Sequence, residues 1–273
     1  ESKRTFVMYS VDPNTGKLKF LKNFESDPDF QNDYTAHFSL SPKGDFMFIG
    51  KDNSNSLAVY RLDKETGFPK YLSTYETEWV QHFSDFRMSS DQKYMYVGGG
   101  NSNKQVVVYA FNEQSGQLTQ VQVVENIGHW ASSDQVVISA DGKHMYQPNG
   151  LNGEEIVQFS RDPNTGLLTY QDVFKFKANG AEMEINFFYG DRNTDFLYGL
   201  KSFGDGDALH VIERDPNTGR LSNRQSFFDT GATNRLNGVF QLSFSKNNKF
   251  VYASGMWDGA LNIFHNQEAR ETM

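Results

Sequence analysis

The sequence predicts an all-β protein made of repeated four-stranded units, and two recurring patterns indicate this. The first is a turn of the form Asp/Asn-x-x-Thr/Ser-Gly between stretches of alternating apolar and polar residues. It occurs at 12–16, 63–67, 112–116, 162–166 and 215–219. The second is a strand, a short polar turn and an aromatic-x-aromatic strand, as in Phe46-Met47-Phe48. No pattern of helical period competes with these two.

The residues of the repeated turns explain why the chain reverses there. In the turn at 12–16, Pro13 fixes φ at the second position and Gly16 supplies the positive φ at which the next strand starts. The second pattern has tight connections of its own, such as Ser41-Pro42-Lys43-Gly44-Asp45. Two kinds of hairpin therefore alternate along the chain. We name the four strands of one unit A, B, C and D, joined by A/B turns and C/D turns.

The repeat length identifies the architecture. Five A strands are predicted at 37–41, 85–89, 135–139, 186–190 and 241–245. Four short strands recurring at roughly 50 residues are typical of a β-propeller blade. The sequence therefore predicts one domain over residues 1–273, a β-propeller of five blades with four antiparallel strands each.

The two ends of the chain are expected to close this ring. Residues 1–24 form a C and a D strand that should complete the last blade, so that the N-terminal and C-terminal strands pair and no sheet edge stays exposed. This closure leaves one strand too many. It either forms a fifth outer strand or shows that the chain was cut from a longer propeller.

The turn motifs resemble those of a known family. The A/B turns Ser41-Pro42-Lys43-Gly44-Asp45 and Ser139-Ala140-Asp141-Gly142-Lys143, combined with repeated Asp-Pro-Asn-Thr-Gly C/D turns, are similar to those of the propeller lactonases, a group that includes 6-phosphogluconolactonases. The resemblance covers nearly the whole chain but lies in residues that build blades. It implies a lactonase-like hydrolase that binds a small sugar or sugar lactone. The family usually has seven blades, whereas five are counted here.

Composition limits the classes of partner. The chain has 26 basic and 34 acidic residues, a net charge of −8, which argues against nucleic acid as a partner. It contains no cysteine, so a disulfide scaffold, a thiolate zinc site and a cysteine nucleophile are excluded. No apolar run is long enough for a transmembrane segment. The lack of cysteine and the non-Met start slightly favour an exported or cell-surface protein over a cytoplasmic one.

The D/A and B/C loops, which share one face, are the predicted binding mouth because they do not repeat. Loops of varied polar and aromatic residues on a regular scaffold commonly carry function. Aromatic residues suited to stacking on a sugar are Tyr34, Trp79, Trp130 and Trp257. Polar residues expected to bind ligand are Gln135, Glu184, Asn186 and Gln241. Alternation along the A strands is expected to turn His37, Asp85, Gln135, Asn186 and Gln241 towards the axial channel, either as a hydrated ring or as a ligand site.

A lactonase reading gives some of these residues catalytic roles. His82, His129 or His37 would act as the base that activates water, with Asp85 orienting a histidine. Arg235 would stabilise the oxyanion. No cofactor is required by this chemistry. The acidic loops Asp205-Gly206-Asp207 and Glu154-Glu155 offer oxygen ligands for a calcium ion, although neither matches an EF-hand.

Two other functions remain open. The first is a non-catalytic module in which the aromatic mouth binds carbohydrate or a protein, since no nucleophile motif is present. The second is an assembly role, in which the surplus strand pairs with the edge of another chain and builds an oligomer. The identity of the ligand and the oligomeric state do not follow from the sequence.

Overall fold

A computed structural model describes the strands of the protein and most of their turns. The described residues are 5–12, 14–15, 17–25, 35–51, 56–76, 86–98, 106–125, 135–149, 155–178, 181–182, 184–190, 194–202, 206–230, 235–245 and 249–265. Every regular element in these ranges is a β-strand. A search of the same ranges for a helix able to cross a lipid bilayer finds none.

The strands group into consecutive antiparallel sheets. The chain begins with β1 (Thr5–Val11) and β2 (Leu18–Glu25). Blade 1 contains β3 (Thr35–Leu40), β4 (Phe46–Lys51), β5 (Ser56–Leu62) and β6 (Pro69–Glu76). Blade 2 contains β7 (Phe86–Met88), β8 (Tyr94–Gly98), β9 (Val106–Phe111) and β10 (Leu118–Val124). Blade 3 contains β11 (Val137–Ile138), β12 (His144–Asn149), β13 (Glu155–Arg161) and β14 (Leu168–Lys175).

The remaining strands form two further blades and a small hairpin. The hairpin consists of β15 (Lys177–Ala178) and β16 (Ala181–Glu182). Blade 4 contains β17 (Phe187–Gly190), β18 (Phe196–Lys201), β19 (Ala208–Arg214) and β20 (Leu221–Phe228). Blade 5 contains β21 (Val239–Phe244), β22 (Phe250–Gly255) and β23 (Ala260–His265). Blades 1 to 4 are four-stranded with neighbours in chain order, and three strands of blade 5 are described. The predicted all-β propeller of five blades is confirmed.

The expected pairing of the chain ends is not found among the described strands. β1 and β2 pair only with each other, and β21 to β23 form a separate sheet. The β1–β2 hairpin instead packs on the C/D turn of blade 1. Met8 lies 3.0 Å from the position of a Cβ on Gly67, and the rings of Phe24 and Phe68 are 5.2 Å apart. The hairpin thus covers the turn of blade 1, and the closure of the last blade by residues 1–24 stays a prediction.

Aromatic side chains of the B strands hold each blade to the next one. The Tyr96 hydroxyl in blade 2 donates a hydrogen bond of 2.8 Å to the Gly166 carbonyl in the C/D turn of blade 3. Tyr146 in blade 3 makes the same bond, 2.7 Å long, to Gly219 in blade 4. Both tyrosines are buried. The aromatic-x-aromatic pattern therefore forms the interfaces between these blades.

One expectation about the A strands fails in blade 1. The A strands carry apolar residues at alternate positions, such as Phe38 and Leu40, which should pack between blades. Phe86, Val136 and Leu242 in other blades are indeed buried. Phe38 and Leu40 in β3 are 63% and 51% exposed. The difference arises because the neighbour on that side of blade 1 is the two-stranded β1–β2 sheet, which has no A or B strand among the described residues.

The repeated turns adopt the predicted conformations. In the C/D turn of blade 3 the Asp162 carboxylate accepts the amides of Asn164 and Thr165 at 2.7 and 3.2 Å, and Gly166 has φ of +70°. In the A/B turn the Ser139 hydroxyl accepts the His144 amide at 3.0 Å. These local bonds satisfy the backbone where the strands stop, so the turn residues are explained by the fold.

Candidate functional site

The loop residues with the most described contacts on the mouth face lie where blade 4 meets blade 5. Six predicted site residues, Tyr34, Trp79, His82, Asp85, His129 and Trp130, lie outside the described residues. The backbone of His37 pairs with Gly50 in blade 1, but its side chain is likewise outside the described part. The site that can be built from contacts therefore centres on Arg235 and Trp257.

Residues 235–238, which we call the Arg235 loop, have four consecutive backbone amides bound by four different side chains. The acceptors come from two blades, Asp207 and Asp229 in or beside blade 4 and Asp258 and Asn262 in blade 5. The amides of Arg235, Leu236, Asn237 and Gly238 donate to Asn262 Oδ1 (3.1 Å), Asp229 Oδ1 (3.1 Å), Asp258 Oδ2 (3.1 Å) and Asp207 Oδ2 (2.5 Å). Because every amide has its own partner, the path of this loop is fixed by both blades.

Trp257 covers the end of the same loop. Its amide donates to the Asn237 carbonyl at 3.3 Å. Gly238 has φ of +70°, and a Cβ there would lie 3.0 Å from Trp257 Cδ2, so only glycine fits comfortably beneath the indole. Trp257 nevertheless remains 55% exposed. The indole thus rests partly on the Arg235 loop and partly faces solvent, and Arg235 of the same loop is exposed as well.

Two of the predicted ligand-binding amides are engaged in backbone hydrogen bonds. Gln135 Oε1 accepts the amide of Phe188 and so joins blade 3 to the A strand of blade 4. Asn186 Oδ1 accepts the amide of Ser202 at 2.7 Å within blade 4. These bonds show a structural role for both side-chain oxygens. Their expected place in a ring of ligand-binding groups stays a prediction.

The other two predicted polar residues are placed differently. Gln241 is exposed on β21, where it pairs with Ser254. Glu184 is partly buried, just after β16 and before the A strand of blade 4. The contacts that the structure describes do not join Gln241 or Glu184 to Gln135 or Asn186. Glu184 and Arg235 each lie in the segment that precedes the A strand of their blade.

Sequence reasoning missed the side chains that anchor the Arg235 loop. Asp229 and Asp258 lie in segments without repeats, and Asn262 is a single polar residue within β23, so no alignment between blades singles them out. Asp207 was considered as a calcium ligand, whereas its carboxylate accepts the Gly238 amide. Glu155 forms an ion pair with Lys175 at 3.2 Å, and Asp205 and Glu154 are outside the described residues. Within the described ranges no group of three or more metal-binding side chains occurs.

A buried histidine lies near the mouth end of the interface between blades 3 and 4. His210 Nδ1 is 2.9 Å from the Ser226 hydroxyl, and its ring centroid is 4.4 Å from that of Phe176. Burial, with a contribution from Lys201, lowers the pKa of His210 to about 4. His210 is therefore neutral at pH 7 and acts as a packing residue.

Comparison with known proteins identifies the family to which the sequence is related. The sequence model described as "Lactonase, 7-bladed beta-propeller" matches residues 1–129 and 85–238. A 6-phosphogluconolactonase of Formosa agariphila is 24% identical over 109 residues, which is 39% of this chain and 30% of that protein. A protein of Arthroderma benhamiae named "Probable 6-phosphogluconolactonase" is 38% identical over 72 residues, 26% of this chain and 17% of its own. These matches span less than a third of either relative.

Solved structures share the fold along nearly the whole chain. A Bacteroides uniformis structure aligns with a TM-score of 0.77 at 14% identity, covering 98% of this chain and 76% of the other. The periplasmic gluconolactonase of Pseudomonas aeruginosa aligns with a TM-score of 0.70 at 20% identity, covering 97% and 74%. Identities this low show a common fold only. With the family model matching most of the sequence, the chain belongs to the family of seven-bladed propeller lactonases.

Proposed function

We propose that this protein is a lactonase that opens a small sugar lactone at the loop-rich mouth, with Arg235 as the oxyanion-stabilising group. Membership of the lactonase family carries this proposal. The structure supports it with an exposed guanidinium on a backbone that blades 4 and 5 hold in place. A donor that is already positioned loses little free energy to reorganisation when charge develops.

The chemistry assigns one task to each predicted group. A base accepts a proton from water while the water oxygen forms a bond to the lactone carbonyl carbon, and the carbonyl oxygen becomes an oxyanion. Arg235 donates hydrogen bonds to that oxygen. The bond from the carbonyl carbon to the ring oxygen then breaks, and the ring oxygen takes up a proton to become a hydroxyl of the open acid. His82, His129 and His37 remain the proposed bases, with Asp85 as the orienting carboxylate.

Substrate recognition is proposed to involve Trp257. Its half-exposed indole offers an apolar face to the ring of a sugar, and such stacking suits an amphipathic ring in a wet site. The names of the related proteins indicate gluconolactone or its 6-phosphate as the first compounds to test. Tyr34, Trp79 and Trp130 are proposed as further walls of the same mouth.

The test is a lactone hydrolysis assay with a matched arginine control. Purified protein is given glucono-δ-lactone and its 6-phosphate, and acid release is followed. Arg235→Ala should lower kcat/KM by about 100-fold, as the loss of one oxyanion donor does. The control is Arg220→Ala, which removes an exposed arginine beside the C/D turn of blade 4 on the opposite face. Absence of lactonase activity in the wild type, or equal losses in both variants, overturns the proposal.

A second candidate function is carbohydrate binding without hydrolysis. The observation that favours it is the pair Met256 and Trp257, 54% and 55% exposed beside the Arg235 loop. Calorimetric titration with sugars distinguishes the two functions, using the wild type and Trp257→Ala. Binding of a sugar acid or neutral sugar that depends on Trp257, without lactone hydrolysis, supports this second function. A flat titration across sugars contradicts it.

A further inference from the structure

Asn262 differs from the other side chains that anchor the Arg235 loop, because it binds one residue twice. Its Oδ1 accepts the Arg235 amide at 3.1 Å, and its Nδ2 donates to the Arg235 carbonyl at 2.7 Å. Asp207, Asp229 and Asp258 each accept a single amide of the loop. The Asn262 side chain therefore bonds both the N–H and the C=O of Arg235, as the backbone of a neighbouring β-strand would.

Gly255 also confines the Arg235 backbone. A Cβ on Gly255 would lie 2.7 Å from the Arg235 carbonyl oxygen, a distance that real side chains do not tolerate. Gly255 is the last residue of β22 and pairs with Ala260 of β23, the strand that carries Asn262. The two strands thus bring a side-chain amide and a bare Cα against the Arg235 peptide. Neither contact involves the guanidinium, which stays available.

We propose that Asn262 is a positioning residue for Arg235, and that together with Gly255 it sets where the guanidinium meets the substrate. The inference rests on the proposed function of Arg235. Leu236 next to Arg235 is buried and bonded to Asp229, so the loop has a second anchor that should keep it folded when Asn262 is changed. Loss of Asn262 should then misplace the arginine without unfolding the blade.

The first test replaces Asn262 by the isosteric aspartate. Asn262→Asp keeps an acceptor for the Arg235 amide but places a carboxylate against the Arg235 carbonyl, where a donor stood. We expect kcat and kcat/KM to fall together by about 10- to 100-fold, because a displaced oxyanion donor weakens transition-state binding. The matched control is Asn223→Asp, which removes an equivalent 2.9 Å bond from Asn223 Nδ2 to the Lys177 carbonyl. The control should keep wild-type kinetics.

A double-mutant cycle separates positioning from general stability. In an Arg235→Ala background, Asn262→Asp should cause no further loss in kcat/KM, since the group it positions is gone. An independent variant, Gly255→Ala, should reproduce the kinetic defect by pushing on the Arg235 carbonyl. If Asn262→Asp lowers kcat/KM equally with and without Arg235, or leaves it unchanged, the inference is wrong.

A measurement without substrate keeps this inference distinct from the proposed function. Amide hydrogen exchange at Arg235 should quicken at least about tenfold in Asn262→Asp and stay unchanged in Asn223→Asp, because the new carboxylate repels the Arg235 carbonyl and so raises local opening of the loop. Unchanged exchange at Arg235 refutes the anchoring role whether or not the wild type hydrolyses lactones. Quickened exchange in a protein without lactonase activity keeps the anchor and rejects the proposed function.

Discussion

The turn face and the Arg235 loop use hydrogen bonds in opposite ways. On the turn face the same bonds recur from blade to blade: Asp63, Asp162 and Asp215 each accept the amides two and three residues later. At the Arg235 loop each of four amides has a different partner, and no other described loop repeats the arrangement. These recurring bonds form the same turn in each blade, so they are explained by the repeated architecture. A loop whose four amides each have a different partner indicates a function that belongs to that one place in the ring of blades.

The strongest test of this contrast removes a buried charge from the turn face. The Arg214 guanidinium, 2% exposed, bonds Asp141 at 3.1 Å and also bonds Asp195, and it lies 2.9 Å from His144 Nδ1. Arg214→Ala should lower the free energy of unfolding by about 3 kcal/mol, because it leaves two carboxylates of neighbouring turns without their cation. Urea denaturation measures this loss. The exposed Arg220→Ala serves as control, and a loss of lactonase kcat/KM in folded Arg214→Ala would contradict a purely structural turn face.

The next effect is acid destabilisation through His210. Its pKa is about 4 in the folded protein against 6.5 in an ordinary environment, so the unfolded chain binds the proton more readily. The contribution of neutral His210 to the free energy of unfolding is therefore fully present above pH 6.5 and is lost as the pH falls towards 4. Between pH 7.5 and 5 the loss from His210 should be about 2 kcal/mol.

His210→Phe isolates this contribution. The variant should shrink the difference in unfolding free energy between pH 7.5 and 5 by about 2 kcal/mol, since it removes the titrating group. Some acid loss should remain, because burial and Arg214 also lower the pKa of His144. His265→Gln, which changes an exposed histidine, should behave as wild type. An undiminished acid loss in His210→Phe would show that other groups dominate this pH range.

A smaller effect compares two glycines of the turn face. Gly166 and Gly44 both have φ near +70°, but a Cβ would meet the Tyr94 ring at 2.3 Å in the first and nothing within 4 Å in the second. Gly44→Ala should cost about 1 kcal/mol for the left-handed backbone alone. Gly166→Ala should cost about 1 kcal/mol more, because Tyr94 must shift. Equal melting temperatures for the two variants would contradict the role given to this interface.

The smallest expected change is in the mouth. Trp257→Ala should raise KM for the lactone about fivefold to tenfold, equivalent to about 1 kcal/mol of lost stacking. It should leave the free energy of unfolding nearly unchanged, since the indole is 55% exposed. Trp257→Phe should restore most of the affinity. Tyr170→Ala, which removes another half-exposed aromatic residue from the outer strand of blade 3, is the control. Unaltered KM in Trp257→Ala would remove Trp257 from the binding mouth.

Part of the site was predictable and part was not. Arg235 and Trp257 are predicted from the sequence because polar and aromatic residues in unrepeated loops indicate a binding face. Asn262, Gly255 and Asp229 were not predicted, because no sequence motif contains them and their roles depend on contacts with the backbone of the Arg235 loop. Asn262 is 27 residues from Arg235 in the chain. No local pattern records such a partnership.

The sequence by itself determined the blades, because their construction is local. In a turn such as Asp162 to Gly166, the Asp162 side chain binds the amides of the turn and Gly166 adopts the positive φ that the turn requires. The alternation of apolar and polar residues in each strand is likewise a local property of the sequence. Only the tertiary structure decided how the blades meet. Tyr96 and Gly166, which are hydrogen-bonded, lie 70 residues apart in the chain. The position of the β1–β2 hairpin over the turn of blade 1 likewise depends on packing between distant segments. Short-range geometry fixes a repeat, whereas the contacts that join repeats and anchor Arg235 exist only once the chain has folded.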